Sequence, residues 1–170
     1  MTDIIGAMNP TAPLTTEEAA LGAAKVSAIG MVIGAINQAV GGWYASTPAA
    51  SEAAARVIEN LTGQTPDPAQ LAQQAQMGLY FTGALVLLQL ILAAVQWKKP
   101  NSVLPILFLV LVIWSLGTAL LALVSPMFSG GQPVWLTAFT LVMMIVAAIL
   151  HIAGIRGASA MNKFREAQAY

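Results

Sequence analysis

The sequence predicts an all-α integral membrane protein, a four-transmembrane-helix bundle with a helical extramembrane loop between helices 1 and 2. Hydrophobic residues make up 58% of the chain and charged residues only 8%, and the mean hydropathy is +0.75, whereas about a quarter of the residues of a soluble domain are charged. Four apolar stretches are also long enough, at about 20 residues each, to cross the hydrocarbon core as helices. We expect a single domain over residues 1–170.

The first span is predicted at about residues 21–45. Thr15 followed by Glu18 resembles a capping box that starts a helix. Trp43 and Tyr44 form an aromatic belt at the other end. Lys25 lies near the start of this stretch, where its ammonium can reach the nearer headgroups while its methylenes stay in lipid.

The connection at residues 46–77 is predicted to be helical. Thr47 and Pro48 form a start signal and Gly63 a stop signal. Asp67 with Pro68 begins a second helix that runs on into the next span. We expect this external loop either to lie on the bilayer or on its own bundle, or to serve as a docking surface for another protein.

The other three spans are predicted at about 78–97, 103–124 and 134–155. Tyr80 and Trp97 mark the two ends of the second, and Trp135 begins the fourth. Residues 125–133 are rich in glycine and proline and indicate a turn. The tail, residues 156–170, is predicted to continue as a helix along the inner surface.

Only Lys98 to Asn101 separate the second span from the third, which predicts an antiparallel hairpin. Short loops rich in lysine and arginine are retained in the cytoplasm. With this loop inside, six of the seven basic residues fall on one side and Arg56 alone falls outside. The count predicts a multi-pass protein with both termini cytoplasmic, and the alanine-rich composition favours a bacterial inner membrane.

Polar side chains within the spans are few, and we take five as ligand-binding candidates: Asn37, Gln38, Gln89, Thr118 and Thr140. At 1.5 Å per residue, Asn37, Thr118 and Thr140 each lie about 9 Å from the outer interface. The sequence therefore predicts a polar layer in the outer half of the bundle. This layer either holds the helices together by hydrogen bonds or forms the polar end of a pocket for a lipid, a quinone or another small molecule.

Small residues recur along the first span, and four are helix-packing or interface candidates: Ser27, Gly30, Gly34 and Gly41. Gly30 and Gly34 form a GxxxG pattern, which lets two helix backbones approach closely. The partner is either another span of the same chain or a helix of a second subunit.

Catalytic groups are scarce. No carboxylate lies within a span, and the chain has no cysteine, which removes thiolate catalysis and sulfur-bound metals. His151 is a weak metal candidate because one histidine cannot complete a zinc or haem site. We therefore predict no catalytic residue, no metal site and no cofactor beyond a possible lipid or quinone, and an enzyme is the less favoured class.

Two functions remain after these exclusions. The first is a non-enzymatic small integral membrane protein, an accessory, assembly or scaffold subunit that acts through helix packing and its external loop. The alternative is an uncoupled channel, a carrier, or a lipid- or quinone-binding membrane protein that uses the polar layer. Expected partners are membrane lipid and other membrane subunits or a second copy of the chain. Nucleic acid is excluded as a partner by the net charge of zero.

Overall fold

A computed structural model describes residues 4–168 of the chain. Over these residues the backbone forms helices and no strand. The helices are α1 Ile4–Ala7, α2 Glu17–Ala45, α3 Pro48–Thr62, α4 Pro68–Lys98, α5 Val103–Val124, α6 Pro126–Ser129 and α7 Val134–Gln168. Four of them, α2, α4, α5 and α7, are long and apolar enough to cross a membrane. The predicted all-helical fold with four candidate spans is confirmed.

The start and stop signals of the connection between α2 and α4 act where the sequence places them. Thr47 Oγ1 accepts a hydrogen bond from the Ala50 N–H at 3.3 Å, and Pro48 is the first residue of α3. Gly63 ends α3 with a left-handed φ of 70°, which glycine adopts without steric cost. Asp67 Oδ1 accepts from the Ala69 N–H at 2.9 Å, and α4 then continues unbroken to Lys98.

Two local expectations need correction. The cap of α2 is Thr16, whose Oγ1 accepts from the Ala19 N–H at 3.2 Å. The predicted capping box of Thr15 and Glu18 is wrong by one residue, because Ala19 occupies the third helical position. The predicted turn before the fourth span contains the short helix α6, which is followed by two glycines with positive φ.

The antiparallel pair α2 and α7 forms the centre of the bundle. Gly154 of α7 lies against Ser27 of α2, and Gly157 lies against the backbone of Ala23 and Ala24. A Cβ on Gly157 would lie 2.6 Å from the carbonyl carbon of Ala23. Helices that approach this closely gain dispersion contacts that lipid would not supply.

The other two long helices flank this pair, and each packs mainly on one member of it. α4 packs on α2, and α5 packs on α7. Near the short connection between α4 and α5, one buried cluster joins Ala28 and Met31 of α2 to Ala93 of α4 and Phe108 of α5. Farther from that connection, the two flanking helices contribute separate walls to a cavity.

The basic residues are distributed unequally between the two ends of the bundle. Lys25 Nζ lies 5.7 Å from the ring centroid of Trp97, and Gln168 Nε2 donates to Glu17 Oε2 at 3.4 Å. The start of α2 and the ends of α4 and α7 therefore lie together. We call this the basic end, because it holds six of the seven basic residues: Lys25, Lys98, Lys99, Arg156, Lys163 and Arg165.

The opposite end carries α3, α6 and the seventh basic residue, Arg56. It also brings together Tyr44 at the end of α2 and Trp135 at the start of α7, whose rings meet edge to face at 6.2 Å. Aromatic residues of this kind are enriched where a membrane meets water.

Candidate functional site

A cavity of about 420 Å³ lies toward the opposite end of the bundle, between α2, α4, α5, α6 and α7. Half of its lining residues carry an amide or a hydroxyl: Asn37, Gln38, Thr82, Ser115, Thr118, Gln132, Thr137 and Thr140. The other half is apolar or glycine: Gly41, Gly42, Phe81, Leu85, Ala119, Ala122, Phe128 and Leu136. Its size lies within the range of small-molecule pockets, about 300–1,000 Å³.

The cavity lining contains no charged side chain and no histidine. Its polar groups are therefore neutral hydrogen-bonding groups. Phe81 and Leu85 on α4 and Ala119 and Ala122 on α5 supply apolar surface on two sides. The cavity combines a polar surface with apolar walls, which suits a molecule that has a polar head and an apolar body.

The shape of the cavity follows from the packing of the long helices. Because α4 packs on α2 while α5 packs on α7, the cavity lies between two helices that are held apart. On the α4 side the wall depends on Gly42, where an added Cβ would lie 3.0 Å from Cβ and 3.2 Å from Oγ1 of Thr82. The glycine lets α4 approach α2 at the level of the cavity.

Four of the five ligand-binding candidates line the cavity: Asn37, Gln38, Thr118 and Thr140. The Oδ1 atom of Asn37 is buried and has no hydrogen-bond partner among the described residues. Thr118 Oγ1 donates to the Ser115 carbonyl oxygen of its own helix at 3.0 Å. Four residues of the predicted polar layer thus line the same cavity. Their binding of a ligand stays a prediction.

The fifth candidate, Gln89, does not line the cavity. Its side chain is buried, and Nε2 donates to the Met31 carbonyl oxygen of α2 at 2.9 Å. The amide lies against Gly34, where an added Cβ would clash with Nε2. Gln89 therefore connects α4 to α2, as the hydrogen-bonding alternative for the polar layer describes.

Three of the four helix-packing candidates make contacts within the chain. Ser27 packs against Gly154 of α7, Gly30 against His151 of α7, and Gly34 against Gln89 of α4. Gly41 differs because an added Cβ there would meet nothing within 4 Å. Gly41 lines the cavity instead.

His151 is fully buried in the α2–α7 contact. Its ring stacks on Phe108 of α5 with 5.9 Å between centroids and 24° between planes. Neither ring nitrogen has a hydrogen-bond partner among the described residues. Residues 4–168 contain no group of three His, Asp or Glu side chains that could hold a metal ion.

Sequence reasoning missed Gln96, which is fully buried at the basic end. Its Nε2 donates to the carbonyl oxygens of Ala24 at 3.2 Å and Asn101 at 3.0 Å, and its Oε1 accepts from the Asn101 N–H at 3.3 Å. Asn101 Oδ1 in turn accepts from the N–H groups of Val103 and Leu104, both at 3.0 Å. Gln96 thus fixes the α4–α5 connection to α2, and the available signal was an amide just before the lysine pair.

Comparison of the chain with protein-family models, with curated proteins and with solved structures finds no match in any of the three.

Proposed function

We propose that this chain is a non-enzymatic multi-pass membrane protein that binds a small amphiphile, such as a lipid or a quinone, in the cavity between α4 and α5. The observation that carries the proposal is the gathering of Asn37, Gln38, Thr118 and Thr140 round one cavity. Their polar groups lie among apolar walls at the level where the long helices are held apart.

The chemistry of the lining supports binding without catalysis. Its hydroxyls belong to serine and threonine, and a hydroxyl becomes a strong nucleophile only beside a base. The cavity lining offers no histidine, carboxylate or lysine for that role. Amides and hydroxyls can hold a ligand by hydrogen bonds and leave it unchanged.

The charge distribution supports an orientation for this protein. Six of the seven basic residues lie at the basic end, and such residues are retained on the cytoplasmic side. In the proposed arrangement both termini are cytoplasmic, α3 lies outside the membrane, and the cavity occupies the outer half of the bilayer. The alanine-rich composition favours a bacterial inner membrane.

Native mass spectrometry after mild detergent extraction tests the binding proposal. We expect the wild-type protein to carry a stoichiometric amphiphile that dissociates on activation. The double variant Thr118→Val with Thr140→Val keeps side-chain volume but removes two hydroxyls, so it should lose most of that adduct. Thr62→Val, at the end of α3 and outside the cavity, is the matched control. A wild-type protein without any adduct, after enrichment with total membrane lipid, would contradict the proposal.

A second candidate function is an accessory, assembly or scaffold subunit. The observation that favours it is α3, in which no residue is buried although it carries an apolar stripe at helical spacing: Ala50, Ala54, Val57, Ile58 and Leu61. Leu61 is 62% exposed, so the chain itself leaves the end of this stripe uncovered. A partner subunit that covers the stripe would fit the scaffold function.

Mass measurement of the native particle separates the two functions. A scaffold subunit should copurify with a defined partner, and Leu61→Glu should release that partner without changing the fold. Glu59→Gln, on the opposite face of α3, is the control. A lone monomer from a mild extraction would argue against the scaffold function.

A further inference from the structure

We infer that the cavity selects amphiphiles whose head group is uncharged and carries a hydroxyl or a carbonyl. This deepens the function proposed above and rests on it. The selection concerns the class of head group, since the walls offer apolar surface to many kinds of tail.

Charge gives the first step. A charged head group that enters the cavity loses part of its hydration, and that loss is costly unless a counter-charge replaces it. None of the cavity residues is Lys, Arg, Asp, Glu or His. The charged side chains of residues 4–168 all lie outside the cavity lining. A phosphate, a carboxylate or an ammonium would therefore be excluded in favour of a neutral head.

Hydrogen bonding gives the second step. Asn37 lines the cavity, and its Oδ1 is buried with no hydrogen-bond partner among residues 4–168, so a ligand that meets this oxygen once the amide turns would satisfy it. The terminal torsion of asparagine is broad, so the amide can turn either its oxygen or its nitrogen toward the cavity. Thr118 uses its proton on the Ser115 carbonyl and keeps lone pairs as acceptors. A ligand hydroxyl can donate to Thr118 Oγ1, and a ligand carbonyl can accept from the amide nitrogen of Asn37.

The size and position of the cavity give the third step. A volume of about 420 Å³ suits a ring or a small head group and leaves no room for long chains as well. Phe81 and Leu85 of α4 face the same space as Ala119 and Ala122 of α5, and the buried cluster that joins these two helices lies near their short connection, away from the cavity. The tail of a bound amphiphile can therefore leave between α4 and α5 into the bilayer.

Two sources supply this chemistry. One is a hydroxyl-headed lipid such as a diacylglycerol or a polyprenol, and the other is a carbonyl-headed quinone. Both are neutral and both carry long apolar tails. Phosphatidic acid with the same acyl chains differs from diacylglycerol only by its charged head, so it serves as the matched negative probe.

The test uses the full chain in nanodiscs with three photoactivatable probes: a diacylglycerol and a phosphatidic acid of identical acyl chains, and a quinone with an isoprenoid tail. Each probe carries its diazirine next to the head group, and labelled residues are mapped by peptide mass spectrometry. We expect diacylglycerol, the quinone or both to label the cavity stretches 37–42, 81–85 and 115–122 at least tenfold more than phosphatidic acid. Which neutral probe labels more strongly identifies the source.

The variant Thr118→Val with Thr140→Val should lower this labelling at least fivefold while its helical content and elution volume stay those of the wild type. If the variant does not fold, the comparison of probes on the wild-type protein still tests the selection for uncharged head groups. Labelling of the cavity by phosphatidic acid as strong as by the neutral probes would overturn the selection for neutral heads and leave amphiphile binding intact. An absence of cavity labelling by all three probes would overturn the proposed function itself.

Discussion

The imidazole of His151 lies directly against the α-carbon of Gly30. A Cβ at Gly30 would come within 3.1 Å of Cε1 and 3.2 Å of Nε2 of that ring. One helical turn later, Gly34 accommodates the amide of Gln89 in the same way. The two glycines of the GxxxG pattern thus receive side chains from two different helices, α7 and α4, so the pattern is explained by packing within one chain.

The first prediction concerns Gly30→Ala. The added methyl would lie 3.1 Å from the His151 ring and 3.3 Å from the Ala147 carbonyl oxygen. Because the ring is fully buried and the carbonyl belongs to the helix backbone, neither can move away freely. We expect a loss of about 1–3 kcal/mol in the free energy of unfolding, as for other overpacked sites, measured by SDS titration in mixed micelles.

Gly41→Ala is the matched control because a methyl there meets nothing within 4 Å. It should leave the free energy of unfolding unchanged or raise it by up to about 1 kcal/mol, since alanine favours a helix more than glycine does. Equal losses in Gly30→Ala and Gly41→Ala would contradict the packing described for the α2–α7 contact.

The second prediction concerns His151→Leu. The two ring nitrogens have no partner among the described residues, so removing them costs no hydrogen bond there. Replacing an unsatisfied buried polar group by an apolar group of similar shape is nearly neutral or stabilising. We expect the free energy of unfolding to change by less than about 1 kcal/mol. A loss several times larger, in the same SDS titration, would contradict the account of His151 as an imidazole held by packing alone.

The third prediction concerns Gln96→Leu. The substitution removes the hydrogen bonds that tie Asn101 and the α4–α5 connection to Ala24 of α2. We expect a loss of about 1–3 kcal/mol because the buried carbonyl of Ala24 and the partly buried backbone groups of Asn101 lose a partner, together with faster proteolysis at residues 98–102.

Gln89→Leu provides the comparison. It removes a single bond between helices, from Nε2 to the Met31 carbonyl oxygen. Such bonds contribute about 0.6 kcal/mol on average in membrane proteins. If Gln89→Leu lowered the free energy of unfolding more than Gln96→Leu does, the hydrogen bonds of Gln96 to the α4–α5 connection would not be the more stabilising contact.

Much of the fold follows from sequence because its signals are local. Hydropathy locates the four long helices, and single residues such as Thr47, Asp67 and Gly63 set where α3 and α4 begin and end. The same local rules missed α6, since a four-residue helix between a proline and two glycines reads as a turn. The cap of α2 was misplaced because two adjacent threonines offer the same chemistry.

The sequence does not show which face of each helix packs on its neighbours. α5 carries apolar residues on every side, and Val110, Ile113 and Trp114 are all exposed while Val112 is buried. Hydropathy therefore does not say which face meets α7. The partners of the small residues are equally hidden, because Gly154 and Gly157 are ordinary glycines until α2 is placed against them. Depth alone grouped Asn37, Thr118 and Thr140, and all three line one cavity, whereas Gln89 lies outside the lining and bonds to Met31.

The fourth prediction concerns orientation. The chain contains no cysteine, so Lys99→Cys and Arg56→Cys each introduce a unique thiol at the basic end and on α3. In intact cells or right-side-out vesicles, an impermeant maleimide should label residue 56 and should reach residue 99 only after the membrane is permeabilised. Labelling of both thiols in intact cells would place residues 56 and 99 on the same side of the membrane and would contradict the single span, α4, proposed between them.

The most direct measurement of the central claim, that the long helices line an open cavity with polar walls, compares thiol reactivity at Thr118→Cys and Leu120→Cys in nanodiscs. Both side chains are exposed, but Thr118 lines the cavity whereas Leu120, at 55% exposure, lies outside the cavity lining. A thiol must ionise to react, and hydrocarbon suppresses ionisation. We predict that N-ethylmaleimide modifies residue 118 at least tenfold faster than residue 120. Equal rates, or a faster reaction at residue 120, would contradict the cavity and the function built on it.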